Sequence, residues 1–127
     1  MKKLVFLALF TLVTLVSNAQ ASWFKATSFC YKEPSDTYWS EWTNVDLKVV
    51  LDVQRKHIEI LSSSPQIFDF LGLEKTSIVG GNVYSSYATD TNYTSVIIEI
   101  YIYDNNECYF VVTYNDIEYK YALTEAL

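Results

Sequence analysis

The chain reads as an all-β protein: an antiparallel meander of seven or eight short strands closed into a small up-and-down barrel, with an open β-sandwich as the alternative. Three observations carry that reading. Aromatic residues make up 17% of the chain and include 11 Tyr, beside many Val, Ile and Thr, the residue types that suit a pleated, half-buried surface. Several windows alternate apolar and polar residues with a period of two, and none shows convincing helical periodicity. Only 3 Gly and 2 Pro occur, so the turns must rely on Asn, Asp and Ser.

The first 21 residues stand apart from this pattern. Lys2 and Lys3 precede an unbroken apolar run from Leu4 to Val16, the length of a signal-peptide core and too short to span a bilayer. Ser17-Asn18-Ala19-Gln20-Ala21 offers small residues at the A-x-A positions, so cleavage is expected after Ala21. No cysteine follows that point, which argues against a lipid anchor. The expectation is a signal peptide over 1–21, a single β domain over 22–127, and a secreted or periplasmic location.

Cleavage leaves 106 of the 127 residues, enough for one domain that buries roughly two-thirds of its unfolded surface. Loss of Lys2 and Lys3 leaves 7 basic against 15 acidic residues, a net charge near −8. That balance argues against nucleic acid or anionic lipid as a partner, since both require clustered Lys and Arg.

The strands follow in chain order. Trp23 to Lys32 is the first, with Phe24, Ala26, Ser28 and Cys30 pointed inward because that face is uncharged before Lys32. Val45, Leu47, Val49, Leu51 and Val53 form the inner face of the next. After a bend at Gln54 to His57 the same face continues in Ile58 and Ile60, which pairs Val53 with Ile58 and sets Asp52 against Glu59. Gln66 to Leu71 follows a Ser-rich turn, Phe68 to Lys75 has room for a short helical turn, and Asn82 to Thr89 begins after Gly80-Gly81.

The last three strands are the most constrained. Val96, Ile98, Ile100 and Ile102 form the inner face of the segment from Tyr93 to Tyr103. A two-residue loop would put them opposite the wrong face of the next strand, and a one-residue slip reverses every side chain. A three-residue loop, Asp104-Asn105-Asn106, pairs Ile102 with Cys108 and Ile100 with Phe110, and Asn106 can take the left-handed conformation such loops need. Asn115-Asp116 suits a two-residue type I′ turn. That turn pairs Tyr114 with Ile117, Val112 with Tyr119 and Phe110 with Tyr121.

The two cysteines, Cys30 and Cys108, are both expected to face inward. A disulfide between them would close 79 residues and contribute roughly 4–5 kcal/mol in the chain-entropy model. In a closed meander Cys108 lies two strands from the first strand, about 9.6 Å away, beyond the roughly 6.8 Å bridging limit. The bridge therefore requires imperfect closure or contact across the interior, and two buried thiols are the alternative.

No catalytic constellation is visible, so the chain is read as a non-enzyme with no cofactor and no metal. The single histidine, His57, falls in a turn without a partner motif. No nucleophile elbow surrounds any serine, no two carboxylates share a foreseeable cleft, and Gly80-Gly81 falls short of a phosphate loop. Asp90-Thr91-Asn92 and Asp104-Asn105-Asn106-Glu107 are oxygen-rich enough for a weak Ca²⁺, but hairpin turns need the same residues for backbone reasons.

Two features point to binding instead. In the derived register Tyr101 opposes Tyr109 on the outer face, with Tyr103, Ile97 and Val111 nearby, an aromatic patch of the kind that marks contact sites. Trp39-Ser40-Glu41-Trp42, preceded by Tyr38, could anchor a partner or stack on sugar rings, or else plug one end of the barrel, the expected role. The inward Tyr114, Tyr119 and Tyr121 could line a ligand cavity, although this many rings favours a filled interior.

The Trp39-x-x-Trp42 entry, the Asp-bearing strand behind it and the signal peptide together resemble small secreted β-rich proteins of Bacteroidetes. That resemblance implies a β-rich fold and supplies no functional residues. Strand count is similar to that of calycin-like barrels, including small protease inhibitors of that shape. The functional expectation is an exported binding or interaction domain whose partner is a protein, a glycan or a small apolar ligand. The alternative is a calycin-like barrel that carries a small apolar ligand or inhibits a partner enzyme.

Overall fold

The computed structural model describes residues 22–125, and the expected signal peptide and its cleavage point after Ala21 lie outside them. Nine strands follow one another: β1 (Ser22–Lys32), β2 (Thr43–Asp52), β3 (His57–Leu61), β4 (Gln66–Phe70), β5 (Glu74–Ile78), β6 (Gly81–Thr89), β7 (Ser95–Tyr103), β8 (Cys108–Thr113) and β9 (Glu118–Glu125). Each pairs antiparallel with its neighbours in the order β4-β3-β2-β1-β9-β8-β7-β6-β5. Contact of β4 with β6, through Asp69 opposite Thr89 and Phe70 opposite Ala88, closes the sheet. The result is an eight-stranded up-and-down barrel with one additional strand. No helix of the described residues is long and apolar enough to cross a membrane.

The additional strand is a continuation of β4. Both β4 and β5 run antiparallel to β6, but the register advances by one between Phe70–Ala88 and Glu74–Ser85. Leu71, Gly72 and Leu73 absorb that extra residue as a bulge. Ser86 stabilises it: its hydroxyl accepts from the backbone N–H of Leu71 and of Gly72, each at 3.1 Å. The segment expected to hold a short helical turn is therefore strand and bulge.

Inside, Phe24, Phe68, Phe110, Ile58, Ile98, Ile102 and Val112 are almost wholly enclosed. Their positions follow the period-two pattern of the sequence. The three-residue β7–β8 loop is present, pairing Ile102 with Cys108 and Ile100 with Phe110. Asn106 has φ of 72°, the left-handed conformation that asparagine tolerates better than most residues.

The β8–β9 register is also as derived, with Phe110 opposite Tyr121 and Val112 opposite Tyr119. Its turn is not type I′, because neither Asn115 nor Asp116 has positive φ. A single bond from the Tyr114 N–H to the Ile117 carbonyl, 2.8 Å, spans it.

Two strand registers also need correction. β2 and β3 pair Leu51 with Ile58 and Asp52 with His57, a two-residue shift that preserves the faces. The bend is a four-residue turn from Val53 to Lys56, with Lys56 left-handed at φ of 59°. Asp52 caps it through the Arg55 N–H at 2.9 Å, and the Asp52–Glu59 repulsion never arises.

The second correction concerns β1. Its register with β9 shifts between Ala26 and Ser28, so that Ala26 lies opposite Leu123 while Phe29 lies opposite Tyr121. That bulge exchanges the two faces of the strand. Phe29 now turns inward against Tyr121, with ring centroids 6.0 Å apart, while Ser28 and Cys30 turn outward. Cys30 lies opposite the outward Lys120, and Cys108 lies opposite the inward Leu123.

The two sulfurs are therefore on opposite sides of the barrel wall. They are also offset by two strands and three residues, about 9.6 Å across and about 10 Å along the sheet. Both cysteines are free and buried, and the disulfide that the sequence left open is not formed.

Candidate functional site

The outer wall of β7, β8 and β9 carries a layer of aromatic rings. Tyr101 lies directly opposite Tyr109. Tyr103 stacks on Tyr101 at 6.2 Å and meets Tyr109 edge-on at 6.1 Å. These three tyrosines come together as the sequence register requires.

The Trp39–Trp42 segment joins them and does not plug the barrel end. Reciprocal bonds anchor it along the end of β1: the Ser40 N–H donates to the Tyr31 carbonyl at 2.8 Å, and the Ser40 hydroxyl accepts from the Tyr31 N–H at 2.9 Å. From there Trp42 stacks on Tyr109 at 6.1 Å.

Lys120 locks the assembly. Its ammonium lies 5.0 Å from the Trp39 ring, 5.8 Å from Trp42 and 4.9 Å from Tyr109, all within cation–π range. Lys32 approaches the Trp39 ring as well, at 5.1 Å. Sequence reasoning missed both lysines. Lys120 could have been found, because strand parity puts it on the outer face beside Tyr109.

Beneath this layer lies a thin second apolar core. Cys30, Val83 and Val111 are buried yet stand outside the cluster that fills the barrel. Val83 lies opposite Tyr101, and Val111 opposite Lys120. The patch read from the sequence is thus partly roofed by its own chain. Trp42 remains 47% exposed on this layer, and Tyr38, the neighbour of Trp39 in the chain, is 81% exposed. Ile97 is 40% exposed on the same outer face as Tyr101, four residues along β7, opposite Tyr87 on β6 and Thr113 on β8.

The tyrosine hydroxyls are held as donors. The Tyr101 hydroxyl donates to a Glu99 oxygen at 3.1 Å, and burial followed by the Glu99 charge pushes its pKa up to about 12. Burial, then Glu107, raises Tyr109. Burial raises the Cys30 thiol despite the opposing charge of Lys120. Inside the barrel, burial pushes Cys108 up to about 12. Neither thiol is activated as a nucleophile.

A second concavity occupies one end of the barrel. β2 is ten residues long and β3 five, and β3 pairs only with Lys48 to Asp52. The start of β2 therefore lacks a neighbour on that side, and a cavity of about 460 Å³ opens there. Phe29, Tyr114, Tyr119 and Tyr121 wall it, with Val45 and Leu47 on the β2 side and Gln66 and Asp116 among its polar lining. Phe29 faces this space because of the β1 bulge. The interior is thus filled along most of its length and hollow at this end.

The oxygen-rich turns use their side chains on themselves. Asp90 accepts from the backbone N–H of Asn92 at 2.9 Å and of Thr94 at 2.8 Å, and from the Tyr114 hydroxyl at 2.9 Å. The Asn105 side chain likewise donates to a Glu107 carboxylate oxygen at 3.1 Å and accepts from the Glu107 backbone N–H at 3.0 Å. Among the described residues no group of three or more His, Cys, Asp or Glu is placed to hold a metal ion.

Burial works to raise the Asp90 pKa, but the bonds from Thr94, Tyr114 and Asn92 outweigh it and hold the carboxyl below its ordinary value of 3.8. A depressed native pKa means the ionised form is favoured by folding. Its contribution is complete above the unfolded value and is lost as pH falls through the native one. Asp90→Asn is therefore expected to lower Tm by several degrees at neutral pH, with the difference from the unaltered protein shrinking below about pH 4. Thermal melts across that range check it, and a constant difference down to pH 2 would refute the assignment.

Comparison with family models, with curated proteins and with solved structures finds no match to this chain.

Proposed function

We propose that the chain is an exported binding domain, not an enzyme, and that it holds a protein or glycan partner on its outer aromatic surface. The supporting observation is the convergence of two segments far apart in sequence. The Trp39–Trp42 turn is tied to β1 and laid against Tyr109, and Lys120 bridges the two by contacts with three rings. A turn that only connected β1 to β2 would not need two tryptophans fixed in this way.

Rigid, amphipathic rings held in place before binding lose little conformational freedom on contact, which is why Trp and Tyr dominate binding hot spots. Export and the resemblance to small secreted Bacteroidetes proteins belong to the same reading. The acidic balance of the chain steers it toward neutral or basic partners.

Substituting the exposed rings while keeping their support tests this. Trp42→Ala combined with Tyr38→Ala is expected to weaken partner capture at least about tenfold, the size of one hot-spot loss, with Tm lowered by only a few degrees. Pull-down from the native extracellular fraction with mass spectrometry covers protein partners, and a glycan array covers sugars. Capture that is unchanged in the double variant would make the layer purely structural.

A further inference from the structure

The cavity at the barrel end is a separate site, on the inner side of the wall that carries the outer aromatic layer. We propose that it binds a small organic cation, an alkylated or quaternary ammonium ion seated among Phe29, Tyr114, Tyr119 and Tyr121 with Asp116 as its counter-charge.

Three features of the lining carry this. First, four aromatic rings from β1, the end of β8 and β9 converge on one space. Tyr114 and Tyr119 stand edge to face at 6.2 Å, with their planes at 87°, and Tyr121 is backed by Phe110 at 6.2 Å. Phe29 and Tyr121 lie at 31° to each other, so the steep angle is that of the Tyr114–Tyr119 corner, which suits a compact group better than a flat one. Such cages recognise ammonium ions through the negative faces of the rings.

Second, the charge is of one sign. Asp116 is part of the lining, and Asp90 lies 2.9 Å behind the Tyr114 hydroxyl. No Lys, Arg or His is among the described residues that line the cavity. Tyr114 donates its proton to a carboxylate that the surrounding turn keeps ionised. That bond leaves the ring richer in electron density and better able to attract a cation.

Third, the size suits a small molecule. About 460 Å³ falls in the lower part of the range for ligand sites, roughly 300–1,000 Å³. The Gln66 and Asp116 side chains and the tyrosine hydroxyls make the lining too polar for the purely apolar ligand that a calycin-like reading suggests. They leave room for a hydroxyl or ether on the cation.

Titrating the whole domain with choline, and separately with its neutral carbon isostere 3,3-dimethylbutan-1-ol, tests the proposal, with NMR following the backbone amides of β9 and the aromatic protons of Tyr119 and Tyr121. Choline is expected to give saturable shifts confined to the cavity lining, with the isostere at least about tenfold weaker. Asp116→Asn, which keeps size and polarity, is expected to weaken choline about threefold to thirtyfold and leave the isostere unchanged. Tyr119→Ala is expected to weaken choline while Tyr119→Phe retains it, because the ring and not the hydroxyl does the holding.

Equal affinity for the isostere, saturable binding of neutral glucose at the same residues with none of choline, or no saturable shift with choline at all would each overturn the proposal. None of these results bears on the outer surface, so the two sites stand or fall separately.

Discussion

Replacing Phe110 with alanine is expected to lower the unfolding free energy by about 3–5 kcal/mol, the usual loss when a fully enclosed phenylalanine is truncated. Phe110 is 1% exposed. It meets Phe68 edge-on at 5.9 Å and stacks with Tyr121 at 6.2 Å. Removing it deprives two other rings of their packing surface and leaves a void between β4, β8 and β9.

Small domains are stable by only about 5–15 kcal/mol, so a large share of the total is at stake. At about 4–8 °C per kcal/mol, Tm should fall by more than about 12 °C. Tyr109→Ala, one residue away on the other side of the same strand, should cost distinctly less, because its ring is only half-buried and rests on a thin outer layer. Urea denaturation of the two variants side by side measures the sidedness of β8 directly. Equal losses would contradict it.

Gly81→Ala is the second severe substitution, for a different reason. Gly81 lies opposite Tyr103 at the start of the β6–β7 ladder. A Cβ built there collides with the Ile102 carbonyl oxygen and comes within 2.8 Å of the Tyr103 Cα. Both atoms are backbone, so no rotamer change relieves the contact and the strands must part. The expected cost is about 3 kcal/mol, at or above the upper end for overpacking, with amide exchange accelerated first at the Gly81 end of the ladder. Gly72→Ala serves as the control. A Cβ there meets nothing within 4 Å, so stability should be nearly unchanged. Similar behaviour of the two variants would mean the close approach at Gly81 is not real.

The parts of the barrel that could be read in advance are those where two local rules agree. For β7, β8 and β9 the alternation of Ile98, Ile100, Phe110 and Tyr121 fixed the faces. Only one loop length then reconciled them, and Asn106 supplied its left-handed residue. Between β2 and β3 the alternation was equally clear, but no residue announced a four-residue turn with Lys56 left-handed, so the pairing slipped by two without changing sides.

The bulge in β1 had no signal at all. Ala26-Thr27-Ser28 is as compatible with regular pairing as with a shift, and the orientation of Phe29 and Cys30 depends wholly on it. β5 was unreadable because Glu74-Lys75-Thr76-Ser77 has no apolar face. Extension of the β4 backbone past the Leu71–Leu73 bulge makes it a strand.

The candidate site was half legible. Strand parity placed Tyr101, Tyr103 and Tyr109 together, but it says nothing about which way a ten-residue connection folds. Parity alone therefore leaves Trp39 and Trp42 apart from the tyrosines, as a plug for the barrel end. The barrel-end cavity was obscured by the same β1 bulge, which sends Phe29 to join Tyr114, Tyr119 and Tyr121.

Because β4 bends into β5, one stave of this barrel projects past the closure and offers a row of backbone donors and acceptors to whatever drifts by. Such a rim is where chains zip together into fibrils. Here it is five residues long, and Glu74, Lys75, Thr76 and Ser77 all present polar side chains to solvent. A second molecule approaching that rim would have to strip water from charges and hydroxyls with little grease to gain in return. The stretch that betrays no strand character in the sequence is thus also the stretch that keeps neighbouring molecules from stitching themselves to it.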